Sequence, residues 1–515
     1  MDKMAALKAE SEGTGGQPLT SKLQPASANP NAAPSTVYSI YSPREKWILV
    51  GIVAISGLFS PLPANIYFPA IPKLAVVFDR SIEDLNLTVT VYLAMQGISP
   101  MLWGPLSDRY GRRPLYLLCL LILVGSTIGL ALCPVSQFWL LLLLRALQAG
   151  GCASTIALGA GVVGDIASVD QRGGFFGFFN LGPMLAPCIG PAIGGVLSEH
   201  LGWRSIFWFL AIFSAACFIL ILLFLPETLR ALVGNGSRQP SQRLLRPMIP
   251  ILGKAETNSV STEDYQRDGT KRQGSANPFR LLTYTDILLT LAYTGIVYAV
   301  NYTITSTISS AFSAIYPYLS ETDLGLCYLP TGVGMILGST ITGKVLDYDY
   351  IRMKKRLESQ HLQSGSDTPN EEENTDIPLE HTRLRTAPAL LIIFVGCISA
   401  WGWCIQRRIH IAGPLALQVA IGYTSISILN STMTLMIDVV RSQSSGVIAC
   451  TNLVRCSLAA LLVSLIDKST QSLDYGWTYT LLGGICTLLL GPIYTEIKLG
   501  PKWRKKRGES KELGP

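Results

Sequence analysis

Charge is what this chain has least of. Asp, Glu, Lys and Arg make up 15% of its 515 residues, and hydrophobic residues make up 49%, whereas a soluble domain carries about 25% charged residues. Histidine is scarce too: four scattered copies and eleven cysteines without one CxxC pair leave neither a metal-ligand cluster nor a redox motif. The odd cysteine count implies no disulfide framework, and Cys119, Cys152, Cys188, Cys217, Cys397 and Cys450 lie in apolar runs as small packed thiols. No GxxxxGK[ST] loop occurs, which argues against ATP-driven pumping. No nucleophile, base or metal constellation appears, so an enzyme is not expected. Acidic residues are missing from the centre of every long apolar run.

What is present is the apolar run itself. Windows of about 20 apolar residues, enough for a helix to cross ~30 Å of hydrocarbon, recur near 46–68, 86–106, 114–133, 138–163, 174–198 and 204–225. A second set falls near 286–312, 323–346, 387–406, 410–436, 445–466 and 476–496. The expected fold is therefore an all-α integral membrane protein of twelve transmembrane helices in two six-helix halves, 44–225 and 286–497. Residues 1–43, rich in Ser, Ala, Pro, Asn and Gly, read as a disordered tail without a signal peptide. The polar stretch 226–285 reads as a linker too short to bury a core; 350–386 is a hydrophilic insertion and 498–515 a basic tail.

The net charge of +7 comes mostly from segments between the runs and from "PKWRKKRGESK", which fits positively charged inner loops better than a nucleic-acid surface. Arg109, Arg112 and Arg113, the 226–285 linker, "RMKKR" and the basic tail fall on one side when twelve helices are threaded, so both termini are expected in the cytoplasm; "QRRIH" (406–410) breaks the rule. Of four sequons, at Asn86, Asn235, Asn301 and Asn430, only Asn86 threads near an outer loop, and it is the expected glycan site.

"GPLSDRYGRRP" (104–114) joins helices 2 and 3 in a tight turn. Gly104 and Gly111 permit close backbone approach, Asp108 can sit at a helix end, and Arg109, Arg112 and Arg113 can pair with it or with lipid phosphates. The spacing GxxxDRxGRR resembles the cytoplasmic loop motif of the major facilitator superfamily. The run Arg145-Ala146-Leu147-Gln148-Ala149-Gly150 is similar to the helix 4 RxxQG motif of that superfamily. "APCIGPAIGG" (186–195), with Gly190, Pro191, Gly194 and Gly195, resembles its helix 5 exporter motif, Ala186 standing where glycine is usual. "SPLPANIYFPAIP" (60–72) resembles the end of helix 1 in the fungal twelve-helix drug:proton antiporter group. "GKVLDYD" (343–349) resembles a decayed copy of the first motif, with Gly343 and Asp347 keeping the spacing. The resemblance spans about residues 44–500. "RALQAGGCASTIALGAGVVGDI" and "TNLVRC" look nearest to quinidine-resistance-type antiporters and fungal citrate exporters. It implies alternating access between two halves, in the plasma membrane, by a monomer whose partners are a small molecule and the bilayer, with no cofactor beyond possible proton coupling. The motif arginines, with Asp165 at the inner end of helix 4, are expected to serve gating.

A substrate must be read from the buried polar residues. Two cations remain at depth. Arg455 lies nine residues past Gly446, about 13 Å into helix 11, and Arg145 seven residues past Phe138, about 10 Å into helix 4, where snorkelling toward the outer side competes with a functional role. Gln148, Cys152 and Thr155 continue one face from Arg145, and Asn452 precedes Arg455 by a turn. Helix 7 adds Tyr293, Tyr298, Asn301, Tyr302 and Thr305, either as cavity lining or as interhelical hydrogen bonds, and Pro183, Pro187 and Pro191 on helix 5 read as bending elements. Two guanidinium groups with no acid at depth make an electropositive cavity suited to a carboxylate. The expected substrate is a di- or tricarboxylate such as citrate, or an acidic secondary metabolite. The alternatives are a broad drug or secondary-metabolite antiporter and a transporter-like receptor. If protons are coupled, Asp165, Asp438 or the substrate's own carboxyl group could carry them.

Overall fold

Helix starts follow local capping signals. Ser42 caps the first helix in a reciprocal box with Glu45, with Pro43 at the first helical position. Ser81 accepts from the Asp84 amide at the start of the second crossing, and Ser320 and Asp323 form another box at the eighth.

The computed structural model describes residues 38–238, 242–250, 282–364, 379–440 and 444–512. The tail before residue 38, the linker segment 251–281 and the insertion segment 365–378 lie outside the described residues.

The first half holds α1 (Pro43–Leu58, resuming as Leu62–Asn65 and Ile71–Phe78), α2 (Ile82–Tyr110), α3 (Arg112–Ala131), α4 (Phe138–Cys152, resuming as Ser154–Ile166), α5 (Val169–Leu201) and α6 (Arg204–Phe224). The second holds α7 (Thr285–Ile315), α8 (Glu321–Leu326, resuming as Leu329–Ser364), α9 (Leu379–Leu384, resuming as Ala387–Gln406) and α10 (Ala412–Val439). The helical stretch Ser444–Leu488 turns back at Asp474, whose φ of 60° is left-handed, and so comprises α11 (444–473) and the start of α12, which continues as Leu490–Glu512.

Among the described residues, ten stretches are long and apolar enough to cross a membrane. One of them, Gly446–Arg504, is 59 residues, about 88 Å as a single helix and nearly three times the hydrocarbon thickness, so it is two crossings. The less apolar α2, 29 residues long, supplies the twelfth.

Three segments depart from the sequence expectation. Helix 1 breaks after Leu58, because Pro61 and Pro63 supply no N–H and the chain needs two short turns before it resumes. The first part of the insertion, through Ser364, continues α8 as helix. The linker begins inside the packed bundle, with Glu227 and Thr228 both buried.

The halves meet along two seams, α2 against α11 and α5 against α8. Helix α7 is interior, its most apolar window being 72% buried. Apolar side chains such as Trp139, Ile212 and Leu488 stay exposed on the outside of the bundle, the surface a lipid phase covers.

At the end carrying the α1–α2 and α11–α12 turns, called the far end below, the halves are tied together. Lys73 pairs with Glu321 (2.8 Å) and Lys468 with Glu83 (3.3 Å). The Thr322 amide donates to Glu199 (2.8 Å) and the Asn86 amide to Asp467 (2.7 Å). Gly195 lies on the Glu321 backbone, and Gly325 on that of Pro191. At the opposite end the described ion pairs stay within one half: Arg112–Asp108, Arg112–Asp165, Arg383–Asp438, Arg385–Asp349 and Arg504–Glu380.

Asn86 thus departs from its expected use. It lies within helix α2 with its side chain 1% exposed and its amide engaged by Asp467, leaving a glycan no access in this conformation.

Candidate functional site

The break in α1 releases carbonyl groups into the interior of the first half, and two side chains from α2 and one from α4 collect them. Tyr92 Oη donates to the Ser60 carbonyl (2.9 Å), Gln96 Nε2 donates to the same oxygen (3.2 Å), and Arg145 Nη1 donates to the Pro63 carbonyl (3.0 Å). Arg145 is fully buried. Its guanidinium carbon lies 4.4 Å from the Tyr67 ring centre and 4.6 Å from that of Tyr92, so two aromatic rings flank the cation. Snorkelling is ruled out, since the group turns inward onto the rings.

Gln148 does not project into open space. Its Oε1 accepts from Arg145 Nη1 (2.8 Å) and its Nε2 donates to Thr127 Oγ1 on α3 (3.1 Å), so it aims the arginine. Cys152 and Thr155, on the same face, are buried within the first half, and the helix steps at Ala153 between them.

Two Arg145 nitrogens, Nε and Nη2, are buried with no hydrogen-bond partner, and the Tyr302 hydroxyl, close enough to feel the Arg145 charge, is likewise unpartnered. Each such buried donor costs roughly 1–3 kcal/mol when left unmade. Among the described residues no carboxylate forms an ion pair with Arg145 or Arg455.

Arg455 is half-buried on α11. Its Nε and Nη2 donate to Asn452 Oδ1 (3.2 and 2.9 Å), and its guanidinium sits 4.9 Å from the Tyr298 ring centre. Asn452 Nδ2 in turn donates to the Gln96 carbonyl across the seam (2.8 Å). Tyr298 and Tyr302, with ring centres 5.7 Å apart on α7, lead from one cation toward the other: the Tyr298 ring lies under Arg455, and Tyr302 is within electrostatic reach of Arg145. The structure therefore brings Arg145, Gln148, Asn452, Arg455 and Tyr298 into one interhelical cluster. Asn301 lies on α7 beside Tyr302, with its Oδ1 buried and unpartnered.

The helix 2–3 motif forms a separate cluster at the end opposite the ties. Gly111 has φ of 108°, and a Cβ there would collide with the Glu227 carboxylate. Glu227 accepts from the Arg112 amide (2.9 Å) and the Arg113 amide (3.2 Å), capping the positive end of α3. The Arg112 side chain joins Asp108 (2.7 Å) and Asp165 (3.3 Å). Arg113, buried, donates to the Leu222 carbonyl (2.7 Å), the Leu225 carbonyl (2.8 Å) and the Leu244 carbonyl, holding the end of α6. Arg109 is exposed over Tyr110, and Gly104 has open space at its Cβ.

The second half carries a counterpart. Arg383 pairs with Asp438 (2.9 Å) as Arg112 does with Asp165, and Arg385 with Asp349 (3.4 Å) as Arg112 does with Asp108. The aspartate on α8 that pairs is Asp349; Asp347 is exposed, so the copy sits two residues later than the sequence spacing placed it.

On α5 the motif glycines make close contacts. Gly190 lies on Leu62 and Asn65, and Gly194 on Ile66 of α1's broken part, while Gly195 and Pro191 reach α8.

A twelve-helix bundle in two halves, with matching charge clusters at one end of each, is the architecture the sequence motifs implied. The Major Facilitator Superfamily model matches residues 53–464. The chain belongs to that superfamily. It is a multi-pass membrane transporter, similar to Citrate exporter 1 of Aspergillus niger, with 33% identity over 94% of this chain and 91% of that one. It is also similar to the Multidrug transporter AQR1 of Candida glabrata (34% identity; 94% of this chain, 80% of the relative) and to the MFS antiporter QDR2 of Candida albicans (33%; 88% of each). The crystal structure of the human organic anion transporter MFSD10 (TETRAN) shares the fold, with a TM-score of 0.53 at 16% identity over 87% of this chain and 99% of that one. These relatives are transporters, and the receptor alternative finds no support among them.

Tyr67, inside the 60–72 motif, and Tyr92, Gln96 and Glu227, outside the motifs, were given no role by the sequence. The prolines at 61 and 63 were the available signal for the first three, because a helix that must break at depth exposes carbonyls that neighbours have to satisfy. "PET" directly after the α6 run was the signal for Glu227.

Proposed function

We propose that this superfamily member exports a small organic anion, a di- or tricarboxylate such as citrate or an acidic secondary metabolite, across the plasma membrane. Its termini face the cytoplasm and it works as a monomer by alternating access. The observation that carries the reading is Arg145: fully buried, held between two rings, with two nitrogens unpartnered and, among the described residues, no carboxylate paired to it. A carboxylate arriving in the cluster would supply the missing acceptors in bidentate geometry and draw on Arg455 through the Tyr298–Tyr302 bridge. In this orientation the far end faces outward, and its ties make the conformation inward-facing. Coupling to protons is part of the proposal; Asp165 and Asp438, the acids nearest the inner helix ends, stand in ion pairs with Arg112 and Arg383.

The test is uptake into inside-out proteoliposomes of a labelled panel, citrate and other carboxylates against lipophilic cations, with and without a pH gradient. Carboxylate flux that falls at least tenfold in Arg455→Ala supports the anion reading; unaltered carboxylate flux, or transport of cations alone, sinks it. A second reading, a broad drug antiporter, draws on the four tyrosines 67, 92, 298 and 302 around the site, an aromatic lining that suits flat apolar molecules.

A further inference from the structure

Of the cross-seam contacts at the far end, one is chemically unlike the others. Lys73–Glu321 and Lys468–Glu83 are ion pairs, and Glu199 accepts from a backbone amide. Asp467, by contrast, meets the neutral amide of Asn86: Asn86 Nδ2 donates to Asp467 Oδ2 at 2.7 Å, and among the described residues no ion pair involves its carboxyl group. The adjacent Lys468 turns to Glu83 instead. Glu83 on α2 and Tyr475 and Tyr479 on α12 lie within electrostatic reach of Asp467. A carboxylate placed among these groups and half out of water is poorly compensated.

The amide side of the contact is incomplete as well. Asn86 is 1% exposed, and its Oδ1 is buried without a hydrogen-bond partner. One change satisfies both residues. If Asp467 takes a proton on Oδ1, that O–H can donate to Asn86 Oδ1 while Asn86 Nδ2 keeps donating to Oδ2, closing an acid–amide ring with two hydrogen bonds in place of one.

We propose that Asn86 and Asp467 form a proton-binding site across the α2–α11 seam, in which the neutral acid form of Asp467 holds the far end shut. The proton comes from water in the far-end compartment as the halves close, and returns there as they part; no other bond is made or broken. The closed state therefore binds one more proton than the open state, so closure strengthens as pH falls and weakens as pH rises. The inference does not depend on which substrate the central cluster binds.

The experiment is distance measurement by pulsed electron resonance on the full chain in lipid nanodiscs, without substrate. Spin labels go at Val76→Cys and Ser472→Cys, exposed positions on opposite halves, in a background where the half-buried Cys397 and Cys404 are serine. Between about pH 8 and about pH 5 the closed-to-open ratio of the otherwise native chain should rise by up to tenfold per pH unit, the limit for one proton. Asp467→Asn, which can form the same two hydrogen bonds at any pH, should hold the acid-form distribution throughout, and Asn86→Leu, which removes both hydrogen bonds of the acid form, should populate the open state more than the native chain does at about pH 5. A native distribution that is flat with pH or opens on acidification overturns the proposal, as does an Asp467→Asn protein that keeps the native slope.

Discussion

Arginine 145 is held by contacts that lysine cannot reproduce. Its plane lies between Tyr67 and Tyr92, one nitrogen is bound by Pro63 and Gln148, and two more are presented without partners. A compact ammonium keeps the charge but loses the planar fork and much of the ring contact. Arg145→Lys should therefore cut transport at least tenfold, a loss of about 1.4 kcal/mol or more in transition-state binding, while expression and gel-filtration profile stay native. A Lys variant with native flux would mean that only the charge matters. Gln148→Leu frees the arginine and leaves Thr127 without its donor, and is expected to raise the half-saturating substrate concentration more than it lowers the maximal rate. Such a split in initial-rate kinetics separates aiming the cation from carrying the ligand.

Elements show where reading by pattern stopped. The apolar windows located the twelve crossings because each must be about 20 residues long, a length set by the bilayer rather than by the fold. They could not show that α1 breaks at depth, because Pro61 and Pro63 sit in a run whose hydrophobicity continues through Phe78. Arg145 and Arg455 were legible as charges in apolar surroundings; Tyr67 and Tyr92 were not, since a tyrosine at depth is ordinary core until its neighbour is known to be a cation. The second-half charge cluster was legible in kind but misplaced, because Asp347 and Asp349 lie two apart and only the packing of α9 selects Asp349. Asp438→Asn, which leaves the buried Arg383 without its charge partner, should cost about 2 kcal/mol, part of the pair being solvent-screened. Asp347→Asn, at an exposed site, should leave the thermal midpoint unchanged; differential scanning fluorimetry in detergent distinguishes the two.

At the scale of the whole molecule, the described ion pairs between the halves lie at the far end, so this conformation depends on a few identifiable contacts. Lys73→Glu and Glu321→Lys, each alone, place like charges across the seam and should shift the population toward the far-end-open state, read as faster labelling of far-end positions by a membrane-impermeant reagent. The double exchange should restore native labelling; failure to do so would mean that the pair is incidental to closure. Where Gly195 meets Glu321 and Gly325 meets Pro191, main chain lies directly on main chain. A joint without side-chain volume leaves no room for a file of water molecules between α5 and α8 at that point. While that joint is shut, ions cannot short-circuit the membrane potential through it, a potential worth about 2.3 kcal/mol per unit charge at 100 mV. Even a methyl group at Gly195 would meet the Glu321 carbonyl and push the joint apart.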